Sequence, residues 1–113
     1  LITHILKDLY GKRRQVRFVP KYSPYTEPSL GPQIDCGFCR GKGCPACGGA
    51  GWVTVAGSGM VHRNVLKEFN YDPDEVSGLA FGMGTARLVS QITGIPTLKV
   101  IYENDLRVLR SVA

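Results

Sequence analysis

Four cysteines fall in the adjacent runs Cys36-Gly-Phe-Cys39 and Cys44-Pro-Ala-Cys47, and each run continues so that C-x-x-C-x-G-x-G occurs twice without a break, from Cys36 to Gly51. Each C-x-x-C sets two thiolates on a tight turn, and the glycines allow the positive backbone angles that such turns need. Two turns of this kind complete a tetrahedral four-sulfur shell, for which zinc is the natural ion. The four-residue spacer between the pairs is shorter than in zinc ribbons. One shared zinc is therefore the leading reading, an iron–sulfur cluster the next, and two disulfides the least favoured in a chain without export features. A metal held by Cys36, Cys39, Cys44 and Cys47 together has no open position for substrate or water, so its role is structural.

A second chemical candidate is Gly82-Met-Gly84 followed by Arg87 at the start of a helical stretch. Glycines let a planar ligand approach the backbone, and a guanidinium suits phosphate oxygens. Taken alone, the pattern also fits a glycine-rich strand end with a surface arginine.

The elements that must position these residues follow from periodicity. Leu1, Ile2, Ile5, Leu6 and Leu9 share one helical face, with Gly11 as a stop. Val16-Arg17-Phe18 alternates as a half-buried strand. Pro20, Pro24, Pro28 and Pro32 recur at every fourth residue, which excludes a long helix and makes Tyr22 to Gln33 extended or turning. Between Cys36 and Gly51 six residues are Gly and four are Cys, too little apolar material for a conventional core. Trp52, Val53, Val55 and Ala56 predict a strand leaving this knot, with Gly57 and Gly59 punctuating it before Met60 and Val61. A short helix is expected around Val65, Leu66 and Phe69, a turn at Asp72 to Asp74, a strand over Leu79 to Met83 and a helix from Arg87 to Ile92, ended by Gly94. Leu98 to Tyr102 is a strand candidate, and Asp105 caps a final helix carrying Leu106, Val108 and Leu109. Strands mixed with helices in this irregular way predict an α+β domain.

The chain has 113 residues and is 43% hydrophobic and 20% charged, the composition of one globular domain. No apolar run is long enough to span a bilayer and the first residues lack the order of a secretory signal, so no membrane partner and a cytoplasmic setting are expected. The chain opens at Leu1 within a helical pattern, as a processed piece or a truncated product would. A net charge of +5 suits a polyanionic partner such as RNA without requiring one. The cluster Lys12, Arg13, Arg14 and Arg17 is in most chains a solvated face rather than a phosphate site.

The cysteine repeat resembles that of the cysteine-rich region of DnaJ chaperones, over these sixteen residues only. A wider resemblance is carried by Tyr22-Ser-Pro-Tyr-Thr-Glu-Pro-Ser29, Gly59-Met-Val-His62 with Asn64-Val-Leu66, Ser77-Gly-Leu-Ala-Phe-Gly-Met-Gly84 with Arg87-Leu88, and Glu103-Asn-Asp-Leu-Arg107. In this order they resemble the C-terminal catalytic part of the phenylalanyl-tRNA synthetase alpha subunit, some bacterial members of which carry a comparable cysteine insertion. The resemblance implies a class II synthetase fold, an antiparallel sheet flanked by helices. Residues 1–113 would be the C-terminal segment of the catalytic domain and residues 36–51 an insertion within it.

The family joins phenylalanine to its tRNA through an adenylate made from ATP. By resemblance, Gly78 to Leu88 is motif 3, in which Gly82, Gly84 and Arg87 hold ATP and Arg87 is catalytic. Tyr25 and Ala80 would line the phenylalanine pocket, and Glu27 would bind Mg2+ together with the beta subunit. The resemblance implies tRNA, ATP, phenylalanine and that beta subunit, in an alpha2beta2 assembly, as partners.

Four residues at three places depart from the family pattern. Ser23-Pro24-Tyr25 stands where bacterial members usually have Phe-Pro-Phe, Ala86 replaces an acidic residue before the motif 3 arginine, and Arg63 replaces a proline after His62. His62 is expected to be a packed, hydrogen-bonded imidazole with no catalytic role. Motifs 1 and 2 would lie upstream of Leu1, so these residues by themselves are expected to show little or no catalysis. The competing expectation is a non-catalytic, zinc-stabilised module derived from the synthetase that binds RNA or a protein.

Overall fold

The structure, a computed structural model, describes residues 1–113. Helix α1 (Ile2–Tyr10) leads into β1 (Val16–Pro20) and the long strand β2 (Thr26–Asp35). After the cysteine loop come β3 (Trp52–Thr54), β4 (Ala56–Val61), α2 (Arg63–Glu68), β5 (Leu79–Met83), α3 (Thr85–Thr93), α4 (Leu98–Tyr102) and α5 (Leu106–Ser111). The strands form one antiparallel sheet in the order β1-β2-β4-β5, with β3 also paired to β2.

Strands β3 and β4 lie end to end along the same edge of β2. Thr54 pairs with Gln33 and Ser58 with Leu30, so three residues on one side face two on the other. This bulge at Val55 places Val53, Val55 and Ala56 all in the interior, at 4%, 3% and 7% exposure. The Val55 N–H still reaches the Pro32 carbonyl at 3.1 Å.

Directly paired residues share a face of the sheet. One face carries Val16, Ile34, Val53 and Met83, against which α1 lays Ile2 and Leu6. The fully buried Cys36 completes this cluster, and Cys39, Cys44 and Cys47 pack on its rim, so the sulfurs extend the apolar core. Tyr10 closes its edge. Its hydroxyl is buried without a partner, and burial pushes it up to about 12 although Arg14 and Arg87 pull the other way.

The opposite face is nearly bare. Ser29 pairs with Gly59, Gly59 with Ala80, and Gly57 with Gly82, so three adjacent strands present small residues there. Gly57 and Gly59 therefore do not punctuate a strand; they lie inside β4. A side chain at Gly59 would collide with the Pro28 carbonyl and with Thr26, because β2 is irregular between Thr26 and Ser29 and bends over this point. The prolines are accommodated without breaking the sheet. Pro20 ends edge strand β1, Pro28 sits in the irregularity after a cis peptide, and Pro32 is buried opposite Phe18.

One element differs in kind from its sequence reading. Leu98–Tyr102 is a helix rather than a strand. Its β-branched pair Val100-Ile101 reads as extended, yet Leu98 and Ile101 are half-buried at helical spacing. Lys99 and Glu103 also form an i,i+4 pair at 3.7 Å. The start comes directly after Pro96-Thr97, where a helix can begin. The other predicted helices form, α3 starting two residues earlier than expected, at Thr85.

Candidate functional site

Two sites are built at opposite ends of β2. At its C-terminal end the cysteine loop leaves from Asp35 and returns at Trp52, closed by the Cys36 N–H to the Gly51 carbonyl at 2.8 Å. All four sulfurs lie within 4.8 Å of one another. The Cys36–Cys44, Cys39–Cys47 and Cys44–Cys47 separations are 3.7, 3.8 and 3.7 Å. Tetrahedral zinc with bonds of about 2.3 Å requires sulfurs about 3.8 Å apart, so the donor set fits that ion. The thiols are free.

Backbone donors point at the sulfurs. Gly43 N–H donates to Cys39 Sγ at 3.1 Å, and Cys44 N–H and Gly51 N–H donate to Cys47 Sγ at 3.2 Å each. Burial, the largest single influence, raises the Cys47 thiol, but these two hydrogen bonds together with those from the Cys44 and Cys39 side chains outweigh it and bring the group down to about 6. Cys44, whose dominant influence is burial, is pushed up to about 11. The loop glycines have a steric cause at two points. Gly43 and Gly51 have φ of 98° and 74°, and a side chain on either would strike the carbonyl of Gly49 or Gly41.

At the other end, the bare face forms three adjoining concavities. One of about 420 Å3 is lined by Tyr25, Ala80 and Gly82 together with Ser23, Ser29 and Leu30. A second, about 370 Å3, holds Glu27, His62 and Asn64. A third, about 420 Å3, runs over Gly82 and Gly84 to Ala86, Arg87 and Tyr102. Nothing lies within 4 Å of where a Cβ on Gly82 or Gly84 would stand, so the space above these glycines is open to a ligand. Arg87 occupies the first turn of α3, is exposed, and has no ion-pair partner.

Glu27 lies near the start of β2 and has a partner there. Its Oε2 lies 3.1 Å from His62 Nε2. His62 caps α2, its Nδ1 accepting the Asn64 N–H at 3.1 Å, so the neutral ring carries its proton on Nε2, directed at Glu27. The imidazole is thus hydrogen-bonded at both nitrogens. Glu27 remains 76% exposed and is the only carboxylate lining its concavity. A single exposed carboxylate on an open concavity fits Mg2+, which keeps several waters and takes one or two protein carboxylates.

Sequence reasoning missed Lys21 and the His62–Glu27 contact. Lys21 lines all three concavities. Its position between Pro20 and Pro24, directly before the extended segment, was the available signal. Of the basic cluster, Arg14 is tied to Asp35 at 3.2 Å, and Arg17 stacks 4.2 Å from the Trp52 ring and donates to Gln33. Lys12 and Arg13 remain exposed. Arg63, which stands in place of a proline, pairs with Asp74 at 2.6 Å.

An antiparallel sheet with flanking helices and a strand-to-helix passage lined by glycines is the architecture of a class II synthetase core. The family model described as tRNA synthetases class II core domain (F) matches residues 1–112, and the chain belongs to this family. It is 44% identical over 110 residues to the phenylalanine–tRNA ligase alpha subunit of Dictyoglomus thermophilum, covering 97% of this chain and 32% of that protein. With the alpha subunit of Moorella thermoacetica identity is 49% over 105 residues, covering 93% and 31%. With that of Symbiobacterium thermophilum it is 47% over 109 residues, covering 96% and 32%. The chain spans about a third of the length of these relatives. No helix is long and apolar enough to cross a membrane.

Proposed function

We propose that residues 1–113 are the C-terminal segment of the catalytic domain of a phenylalanine–tRNA ligase alpha subunit, with residues 36–51 a zinc-holding insertion, and that they supply one wall of its active site. The observation that carries this reading is the continuous run Ala80, Gly82, Gly84 and Arg87, all lining concavities on one face of the sheet. In this role Gly82 and Gly84 admit the adenine and ribose against the backbone, and Arg87 holds the triphosphate. Tyr25 gives the phenylalanine ring an aromatic partner and Ala80 leaves room for it.

In the reaction a carboxylate oxygen of phenylalanine attacks the α-phosphorus of ATP. The bond to the β-phosphate bridging oxygen breaks, pyrophosphate departs with the electron pair, and the tRNA hydroxyl later displaces AMP from the acyl group. Glu27 would hold Mg2+, which when bound would supply positive charge to offset that on the leaving pyrophosphate. The beta subunit and tRNA complete the cytoplasmic assembly. Adenylation is accelerated by several groups acting together, so these 113 residues alone are inactive.

The test combines two measurements on the purified chain. ATP should shift the backbone amide signals of Gly82, Gly84 and Arg87, more weakly in R87A, while phenylalanine-dependent ATP–pyrophosphate exchange stays at the level of a no-enzyme control. Exchange above that control would refute inactivity of the segment, and unshifted amides at Gly82 and Gly84 would remove the nucleotide wall.

Ala86 favours a second reading, a zinc-stabilised RNA- or protein-binding module without catalysis. It lines the third concavity beside Arg87 and leaves that guanidinium with no acidic partner to orient it. Binding of RNA without binding of ATP would select that reading.

A further inference from the structure

Lys21 follows β1 directly and is fixed there by its own N–H, which donates to the Ser29 carbonyl at 3.0 Å. Its side chain crosses the bare face of the sheet. A methyl placed on Gly31 would stand 3.5 Å from Lys21 Cδ, 3.5 Å from Val19 Cγ2 and 3.7 Å from Thr54 Cγ2, so the lysine stem rests on a strand kept clear by glycine. The ammonium has no ion pair in the folded chain, and Glu27, the carboxylate that lines a concavity with it, is engaged by His62.

Lys21 borders the pocket of Tyr25 and Ala80, the pocket of Glu27, and the glycine wall that ends at Arg87. No other residue lines all three. In an adenylation the amino acid attacks the α-phosphoryl group, the nucleoside carries it and pyrophosphate leaves from it, so the three regions meet there. We infer that Lys21 is a positioning residue for that group, its ammonium meeting the α-phosphate oxygens of the nucleotide. Arg87, displaced along the wall toward α3, takes the outer phosphates. The inference rests on the nucleotide-wall reading above and adds a division of labour between the two cations. A lysine suits the inner role, since a compact ammonium on a flexible stem can follow the oxygens of a phosphorus whose geometry changes from tetrahedral to trigonal bipyramidal and back.

The division is testable with adenosine, AMP and ATP titrated into the 113-residue chain and its K21M and R87M variants, read by amide shifts at Gly82 and Gly84. Methionine retains a stem for Gly31, Val19 and Thr54, and an otherwise unchanged amide spectrum verifies the fold. The native chain should bind AMP about tenfold more tightly than adenosine, as a charge-assisted contact at an accessible site implies. K21M should abolish that preference while leaving adenosine binding unchanged, K21R should restore it, and R87M should reduce the preference for ATP over AMP. A preference for AMP that survives in K21M overturns the role of Lys21 and leaves the nucleotide wall standing. The role is equally overturned if the native chain binds adenosine and AMP alike. No response at Gly82 or Gly84 to any of the three ligands overturns both readings.

Discussion

His62 Nε2 approaches Glu27 Oε2 at 3.1 Å while Nδ1 of the same ring accepts the Asn64 N–H, so one imidazole ties the start of α2 to the bend in β2. The ring has two separable jobs. Asparagine at position 62 can still cap the helix, glutamine can still reach the carboxylate, and alanine can do neither. Chemical denaturation should find H62A less stable by about 1 kcal/mol and H62N within a few tenths of the native chain. Two-bond proton–nitrogen NMR at neutral pH should place the ring proton on Nε2. Equal losses in H62A and H62N, or a proton on Nδ1, would remove the helix-capping role.

Two glycines on the same face should respond oppositely to substitution. Gly82 has open space where a side chain would go, whereas at Gly59 the Pro28 carbonyl and Thr26 stand in the way. G82V should therefore fold with nearly native stability, since β-branched residues suit strands, but lose ATP binding. G59A should cost about 1–3 kcal/mol by overpacking. Urea unfolding and ATP titration of both variants check the contrast, which fails if G82V retains nucleotide affinity.

The sulfur shell should account for much of the stability of the α1 end, because Cys36 belongs to the same buried cluster as Ile2, Leu6 and Ile34. Elemental analysis of the purified chain should give one zinc per molecule. Stripping it with a chelator should lower the melting temperature by more than about 10 °C. Metal-free protein with titratable thiols and an unchanged melting curve would reject the assignment.

Asp105 caps α5 through the Arg107 N–H at 2.9 Å and pairs with the Arg107 guanidinium at 2.7 Å, the guanidinium bond being the larger cause that holds its carboxyl below the ordinary value. A carboxyl depressed in the folded state stabilises fully above its unfolded value, near pH 4, and loses that contribution as pH falls through the lower folded value. Amide exchange at Val108 and Leu109 should accelerate in D105A at neutral pH. In the native chain the low-pH decline in protection should exceed that of D105N, whose cap does not titrate.

The strand-to-helix passage and the sulfur loop were legible in local backbone needs, whereas the nucleotide reading of that passage came from the family resemblance. Gly82-Met-Gly84 before Arg87 announces a strand running into a helix with little side chain on the way, and the doubled cysteine repeat announces a closed sulfur shell. What stayed hidden depends on through-space relations. Nothing adjacent to Lys21 in sequence says that three concavities meet there, and the partner of His62 lies 35 positions upstream at Glu27 (62 − 27). Leu98–Tyr102 shows the limit of periodicity, since five residues are too few to separate a β-branched strand from a short helix begun by Pro96-Thr97.

The extra residue at Val55 acts as a phase corrector. Had Val55 continued the alternation set by Trp52, Val53 and Thr54, Ser58 and Met60 would project into the cleft and Gly57 and Gly59 would turn toward the helices. Because that offset is set downstream of the sulfur loop, the loop can lengthen, shorten or disappear in evolution without exchanging the two sides of β4. Deleting Val55 itself would leave a regular alternation from Thr54 to Ser58 and so preserve the glycine floor, at the expense of a buried side chain.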